Sequence, residues 1–287
     1  MRWRATSDVD EYATAVGAFL EAEPCSRNVP RWIIELARRG IGGWVAAPHF
    51  WWLDDDGAVL GAASWTPPYN LIVTDLPSEG ASQLVDAVRS YASGRPHRVA
   101  GVTGPRPAAD AVADAWRART GDAVALHMAQ LMHELTEVRP VATPEGSRRL
   151  AGAADLDQMT EWMVAFATEV RVPAGSDPRQ TTATLIADRN FHVWTVDGRA
   201  VSMAGRRELI AGVVRVGPVY TPPSHRGRGY ARRLVAEMSQ EALESEGAQR
   251  CMLYTDIANP VSNEIYRQIG YRPVEEHADF AFGDGAT

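Results

Sequence analysis

The chain has 287 residues, of which 45% are hydrophobic and 23% charged, an ordinary balance for a folded protein. Its length suits two domains of roughly 140 residues, each able to bury a sizeable core. The 36 acidic and 29 basic residues leave a formal net charge of -7, which argues against general affinity for nucleic acid, where a basic footprint is expected.

The N-terminal stretch "MRWRATSDVDEY" has no apolar h-region, which predicts no secretory signal. No uninterrupted apolar run reaches the roughly 18–20 residues of a membrane span. Cys25 and Cys251 stand alone, without metal spacing, and suit a reducing cytoplasm better than a disulfide framework. Cys251 lies in the apolar run "CMLYT" and reads as a small buried hydrophobe. The expectation is a cytoplasmic protein with no membrane, nucleic-acid or metal partner.

In the first half, "WWLDDDGAVLGAASWT" predicts a hairpin turning at Asp56-Gly57. "NLIVTD" follows as a strand, and Ala81, Leu84, Val85 and Val88 mark a helix. "HRVAGVTG" is a strand, "AADAVADAWRARTG" a helix stopped at Gly121, and "AVALHMAQLMHEL" a closing strand. The Pro- and Gly-rich stretch Arg139 to Leu156 then reads as a boundary. It divides the chain into domains 1–142 and 146–287.

The second half repeats the order. "LDQMTEWMVAFATEV" is a helix, and "HVWTVDGRAVSMAGRRE" a hairpin turning at Asp197-Gly198. "AGVVRVGPVYT" is a strand, and the helix after it carries Ala231, Leu234, Val235, Met238 and Ala242 on one face. "RCMLYTDI" is a strand, "PVSNEIYRQIGY" a helix ending at Gly270, and "DFAF" a last strand. The parallel order reads as duplication of one α/β unit.

Between "VGPVYT" and its helix lies "SHRGRGYARRL". A helix N-terminus exposes unpaired N–H groups and the positive end of its dipole. Glycines there let main chain approach an anion, and arginines add charge. The stretch lacks the Gly-Lys-Ser/Thr of a Walker loop and the third glycine of a dinucleotide fingerprint.

Arg226, Gly229 and Ala231 fit the diphosphate signature of the GNAT superfamily of N-acetyltransferases, and the sequence resembles that family over about residues 150–282. A second family signature matches Asn259, Ser262, Tyr266, Gly270 and Tyr271. The resemblance implies two tandem GNAT-like α/β domains, each a mixed, mostly antiparallel sheet flanked by helices. In the C-terminal one, the central strands "VGPVYT" and "CMLYTDI" would splay apart. It implies an acyl-coenzyme A, usually acetyl-coenzyme A, as donor and a primary amine as acceptor, a small molecule before a protein N-terminus, with an antibiotic amine, a polyamine and an amino acid all open. The donor's diphosphate would meet Arg226, Gly227, Arg228, Gly229, Tyr230 and Ala231. Its pantetheine arm would meet the main chain of Val219 and Thr221, with Asn259 and Ser262 beside it. Tyr266 would be the general acid for the thiolate. The alternative reading is a non-catalytic acyl-coenzyme A binding protein. The first half carries "PSEGASQL" at the cradle position, with one glycine, no arginine and an acidic Glu79. It therefore resembles a degenerate domain without a cofactor site. Its aromatics Phe50, Trp51, Trp52 and Trp65 are either core or the wall of an acceptor cleft.

Overall fold

The computed structural model describes residues 1–41, 43–170 and 177–283. In chain order the first elements are β1 (Arg2–Thr6), α1 (Val9–Ala22), α2 (Asn28–Arg39), β2 (His49–Asp55), β3 (Ala58–Trp65), β4 (Leu71–Val73), α3 (Ser78–Ala92), β5 (Gly101–Pro105), α4 (Arg106–Thr120) and β6 (Val124–Leu135). There follow β7 (Ser147–Leu150), α5 (Leu156–Glu169), α6 (Pro178–Ala187), β8 (Phe191–Val196), β9 (Arg199–Arg206), β10 (Val213–Tyr220), α7 (Tyr230–Ser245), β11 (Arg250–Asp256), α8 (Pro260–Ile269) and β12 (Arg272–Phe282). Among the described residues no helix is long and apolar enough to cross a membrane.

These elements group into two compact units whose segments interleave. The first takes Met1–Met132, Asp256–Ala258 and the strand from Val274; the second takes His133–Thr255 and Asn259–Pro273. In the first unit the strands run β1-β2-β3-β4-β5-β12. β12 pairs antiparallel with β5, from His277↔Pro105 to Ala281↔Gly101. The last strand of the chain thus completes the sheet of the first unit. The hairpin β2–β3 turns at Asp56 and Gly57, both at positive φ (49° and 90°), as a tight two-residue turn demands.

The aromatics of this hairpin are core on both faces. Trp51 and Trp65 pack against α3 and α4, while Phe50 and Trp52 pack against α1 and α2. Strand alternation sends neighbours to opposite faces, and none of the four is more than 7% exposed. They are therefore not available to line a cleft. Two elements carry weak sequence signals: α2 holds Pro30 in its first turn, where no helical N–H is needed, and α6 opens on Pro178 behind the cap Asp177.

β4 and β5 lie parallel, paired at Leu71↔Val102 and Ile72↔Thr103. They stay close beyond that point. A Cβ on Gly104 would stand 2.4 Å from the Val73 carbonyl oxygen. Gly104→Ala is accordingly expected to force the strands apart, at about 1–3 kcal/mol, and to lower the thermal midpoint by several degrees. An unchanged melting curve would show that the strands tolerate separation.

In the second unit the order is β11-β10-β9-β8-β7. Leu234, Val235, Met238 and Ala242 of α7 meet Val214, Val216, Cys251 and Leu253, with Tyr266 and Ile269 of α8 closing the same core. Cys251 is fully buried. On the other face Met159 of α5 and Leu185 of α6 pack on Phe191, Val193, Met203 and Tyr220.

Candidate functional site

β10 and β11 run parallel, and their register covers three pairs, from Val213↔Arg250 to Arg215↔Met252. β10 then continues to Tyr220 alongside β9, and β11 continues to Asp256. The two strands part, leaving a slot edged by main chain. A register shift accompanies the parting. Val216 faces Arg206, but Val219 faces Ala204, so three steps on β10 answer two on β9. An extra residue bends and twists its strand, and Pro218 within the shift has no N–H for a ladder.

The slot edge of β10 follows from its contacts. Ser202 Oγ donates to the Tyr220 carbonyl at 3.3 Å and lies 2.8 Å from Thr221 Oγ1. The Tyr220 carbonyl thus faces β9, and strand alternation turns the Val219 N–H and C=O to the slot. The Thr221 carbonyl accepts from Arg226 Nε at 2.8 Å.

The loop after β10 leads into α7 through Gly227 (φ 76°) and Gly229 (φ 83°). Gly229 is the N-cap, and no side chain accepts from the first turn. The N–H groups of Tyr230 and Ala231 thus lack the usual capping acceptor and lie at the positive end of the helix dipole. No atom lies within 4 Å of where a Cβ on Gly227 would stand. The Tyr230 side chain is buried in the core, so its contribution here is the main-chain N–H.

The arginines divide their work. The Arg226 guanidinium bonds both Glu169 oxygens at 2.7 and 2.8 Å. It ties the loop to the end of α5. Arg228 is exposed and makes no ion pair among the described residues. Of the two arginines expected at the diphosphate, Arg226 is paired with Glu169 and Arg228 is exposed. His225, which reads as a surface loop residue in the sequence, has its Nδ1 buried without a protein partner.

α8 opens at Asn259, whose Oδ1 accepts from the Ser262 N–H at 3.1 Å. The pair therefore forms a helix cap, and the Asn259 side-chain NH2 keeps its donors. Two turns on, Tyr266 is 9% exposed. Its ring meets Tyr271 edge-on at 5.8 Å. Tyr271 spends its hydroxyl on Ser239 at 2.9 Å, whereas the Tyr266 hydroxyl has no hydrogen bond among the described residues. Burial pushes the Tyr266 pKa above its ordinary value. The phenol is protonated and uncommitted.

One polar group here had no sequence signal. His133 Nε2 lies 2.9 Å from Thr255 Oγ1, and Thr255 donates to Asn263 Oδ1 at 2.5 Å. The one hydroxyl proton goes to Asn263, so His133 donates from Nε2. Its Nδ1 is left buried without a partner, and burial lowers its pKa against the opposing effect of Asn263. This network ties β11 to α8 one turn before Tyr266. Its members lie on three separate elements, so no local motif announces them.

Among the described residues the first unit offers no such cradle. The N-cap of α3 is Pro77, and Glu79 sits in its first turn. The Gly80 carbonyl accepts from Trp3 Nε1 at 2.9 Å, and a Cβ there would strike Leu53 at 2.9 Å. Glycine serves close packing in this place. Among the described residues no group of acidic, His or Cys side chains could hold a metal ion.

Comparison with known proteins agrees in kind. Residues 156–271 match the profile described as the Acetyltransferase (GNAT) family. No curated protein matches the sequence significantly. Among solved structures, a GCN5-related N-acetyltransferase from Sphaerobacter thermophilus is similar over 99% of this chain and 98% of that one, at 16% identity and a TM-score of 0.64. A GNAT-family acetyltransferase from Colwellia psychrerythraea is similar over 98% and 99%, at 12% identity and a TM-score of 0.58. A tandem GNAT protein from the clavulanic acid biosynthesis pathway is similar over 100% and 99%, at 14% identity and a TM-score of 0.56. At these identities the likeness is one of fold, and it extends over both halves of the chain.

Proposed function

We propose, from the premise that residues 156–271 form a domain of the GNAT acetyltransferase family, that this protein transfers an acetyl group from acetyl-coenzyme A to a primary amine of a small molecule. The observation that carries the reading is the slot. Strands β10 and β11 part beyond Arg215 and Met252, the helix after β10 opens without a side-chain cap, and the Tyr266 hydroxyl has no hydrogen bond among the described residues. The residues present fit the cosubstrate. An anion matches the N–H groups of Tyr230 and Ala231, with Gly227 and Gly229 keeping side chains clear and Arg228 adding charge. Arg226 holds that loop in place through Glu169. An amide-bearing arm matches the Val219 main chain, the Thr221 N–H, and the Asn259 and Ser262 side chains. When bound, acetyl-coenzyme A supplies a thioester carbonyl for attack and a thiolate as leaving group.

The roles of the chain's own groups follow. The Val219 N–H can donate to the carbonyl oxygen as negative charge gathers there. Tyr266 Oη gives its proton to the departing sulfur. The raised Tyr266 pKa keeps that proton in place as pH rises. Turnover is therefore expected to climb as the acceptor amine loses its proton, with no falling limb below about pH 10. A kcat profile that declines between pH 8 and 9 would remove Tyr266 as the acid.

The direct test is thiol release across a library of small amines, with acetyl- and longer acyl-coenzyme A donors. Amine-dependent release above the hydrolytic background supports acyl transfer. Tight binding without release on any amine would leave a binding protein.

A further inference from the structure

A cleft of about 580 Å3 opens in the first unit, where the last turns of α3 and α4 meet the end of β12. Small-ligand sites commonly measure roughly 300–1,000 Å3. Its floor is apolar: Val99, Trp116 and Phe282 line it, and the last two rings stack at 4.6 Å. Its rim is cationic, with Arg89, Arg95 and Arg98, and His97 beside them.

Among the described residues these arginines form no ion pair. Arg95 is held by a bond from Nε to the Tyr91 carbonyl at 2.8 Å and by stacking over the Tyr91 ring at 4.0 Å. Its two terminal nitrogens are not used in either contact. Arg89 and Arg98 make no ion pair or side-chain hydrogen bond among the described residues. Among the described residues the one carboxylate in the lining, Asp122, accepts from Trp116 Nε1 at 3.1 Å. Three arginines thus face one committed carboxylate among the described residues, in a chain whose net charge is -7. The negative end of α3 accounts for Arg89 in its last turn. It does not account for His97 and Arg98, which lie beyond the first turn past the helix end.

We infer that this cleft binds a small organic anion, a phosphate or carboxylate carried on an apolar body. Guanidinium groups match both oxyanions as two-pronged donors. The floor between them offers contact to the apolar part. The site lies in the unit without a cradle, so it is a function of that half independent of acyl transfer.

Calorimetric titration of the full chain with phenyl phosphate, benzoate and inorganic phosphate tests the assignment. At least one of the organic anions is expected to bind, and to bind more tightly than inorganic phosphate. The better of the two tells phosphate from carboxylate. The double variant R89E/R98E is expected to weaken that binding at least tenfold with an unchanged melting temperature. If charge reversal unfolds the protein, R89Q/R98Q carries the same test. Absence of binding, equal binding of inorganic phosphate, or full affinity in the variants would overturn the assignment.

Discussion

Tyr266→Phe is expected to lower kcat by about 100-fold or more, the usual scale of a lost general acid, while the dissociation constant for acetyl-coenzyme A stays within about twofold. The split follows from what the hydroxyl touches. It has no hydrogen bond within the described protein, so its removal leaves no buried group stranded. The ring stays, keeping its packing on Tyr271 and Ile269, and the melting temperature should hold. A core role alone predicts the opposite pattern, in which Phe is silent in both assays. Steady-state kinetics with direct binding separates them. A variant turning over at the wild-type rate would exclude the phenol from the chemistry.

Gly229→Val is expected to weaken acetyl-coenzyme A binding at least tenfold, about 1.4 kcal/mol. At φ 83° a β-branched residue is strongly disfavoured. Relief of that strain must rotate the peptides that aim the first N–H groups of α7 into the cradle. Any Cβ also meets the Arg232 guanidinium at 3.3 Å, which itself bonds Gln268. The helix beyond is anchored by Leu234, Val235 and Met238 in the core, so the damage stays at the loop. Isothermal titration together with a melting curve reads both effects. Undiminished affinity in a folded variant would place the cofactor's diphosphate elsewhere.

Much of this layout was legible because it is local. The turns at Asp56-Gly57 and Asp197-Gly198, the apolar face of α7 and the glycines before it are short-range patterns. The parting of β10 and β11 also matches the expectation raised by the family resemblance. What stayed hidden depends on partners distant in sequence. The alternation of "DFAF" marks a strand but cannot say that β12 pairs with β5, some 170 residues away. "SHRGRGYARRL" shows four arginines within eleven residues, but not that Glu169 claims Arg226. The tryptophans of β2 and β3 are equally apolar whether they line a cleft or fill a core, and burial on both faces decides for the core. His133 lies in a strand that looks unremarkable until Thr255 and Asn263 come beside it.

The central claim is that one half of this duplicated chain holds the cofactor. In the second unit β10 and β11 separate beside an uncapped, glycine-opened helix. In the first, Gly104 lets β4 and β5 stay together, and Glu79 sits where an anion would have to go. The stoichiometry of acetyl-coenzyme A binding to the full chain tests this most directly. Titration calorimetry should give one molecule per chain; two per chain, or none, would contradict the account.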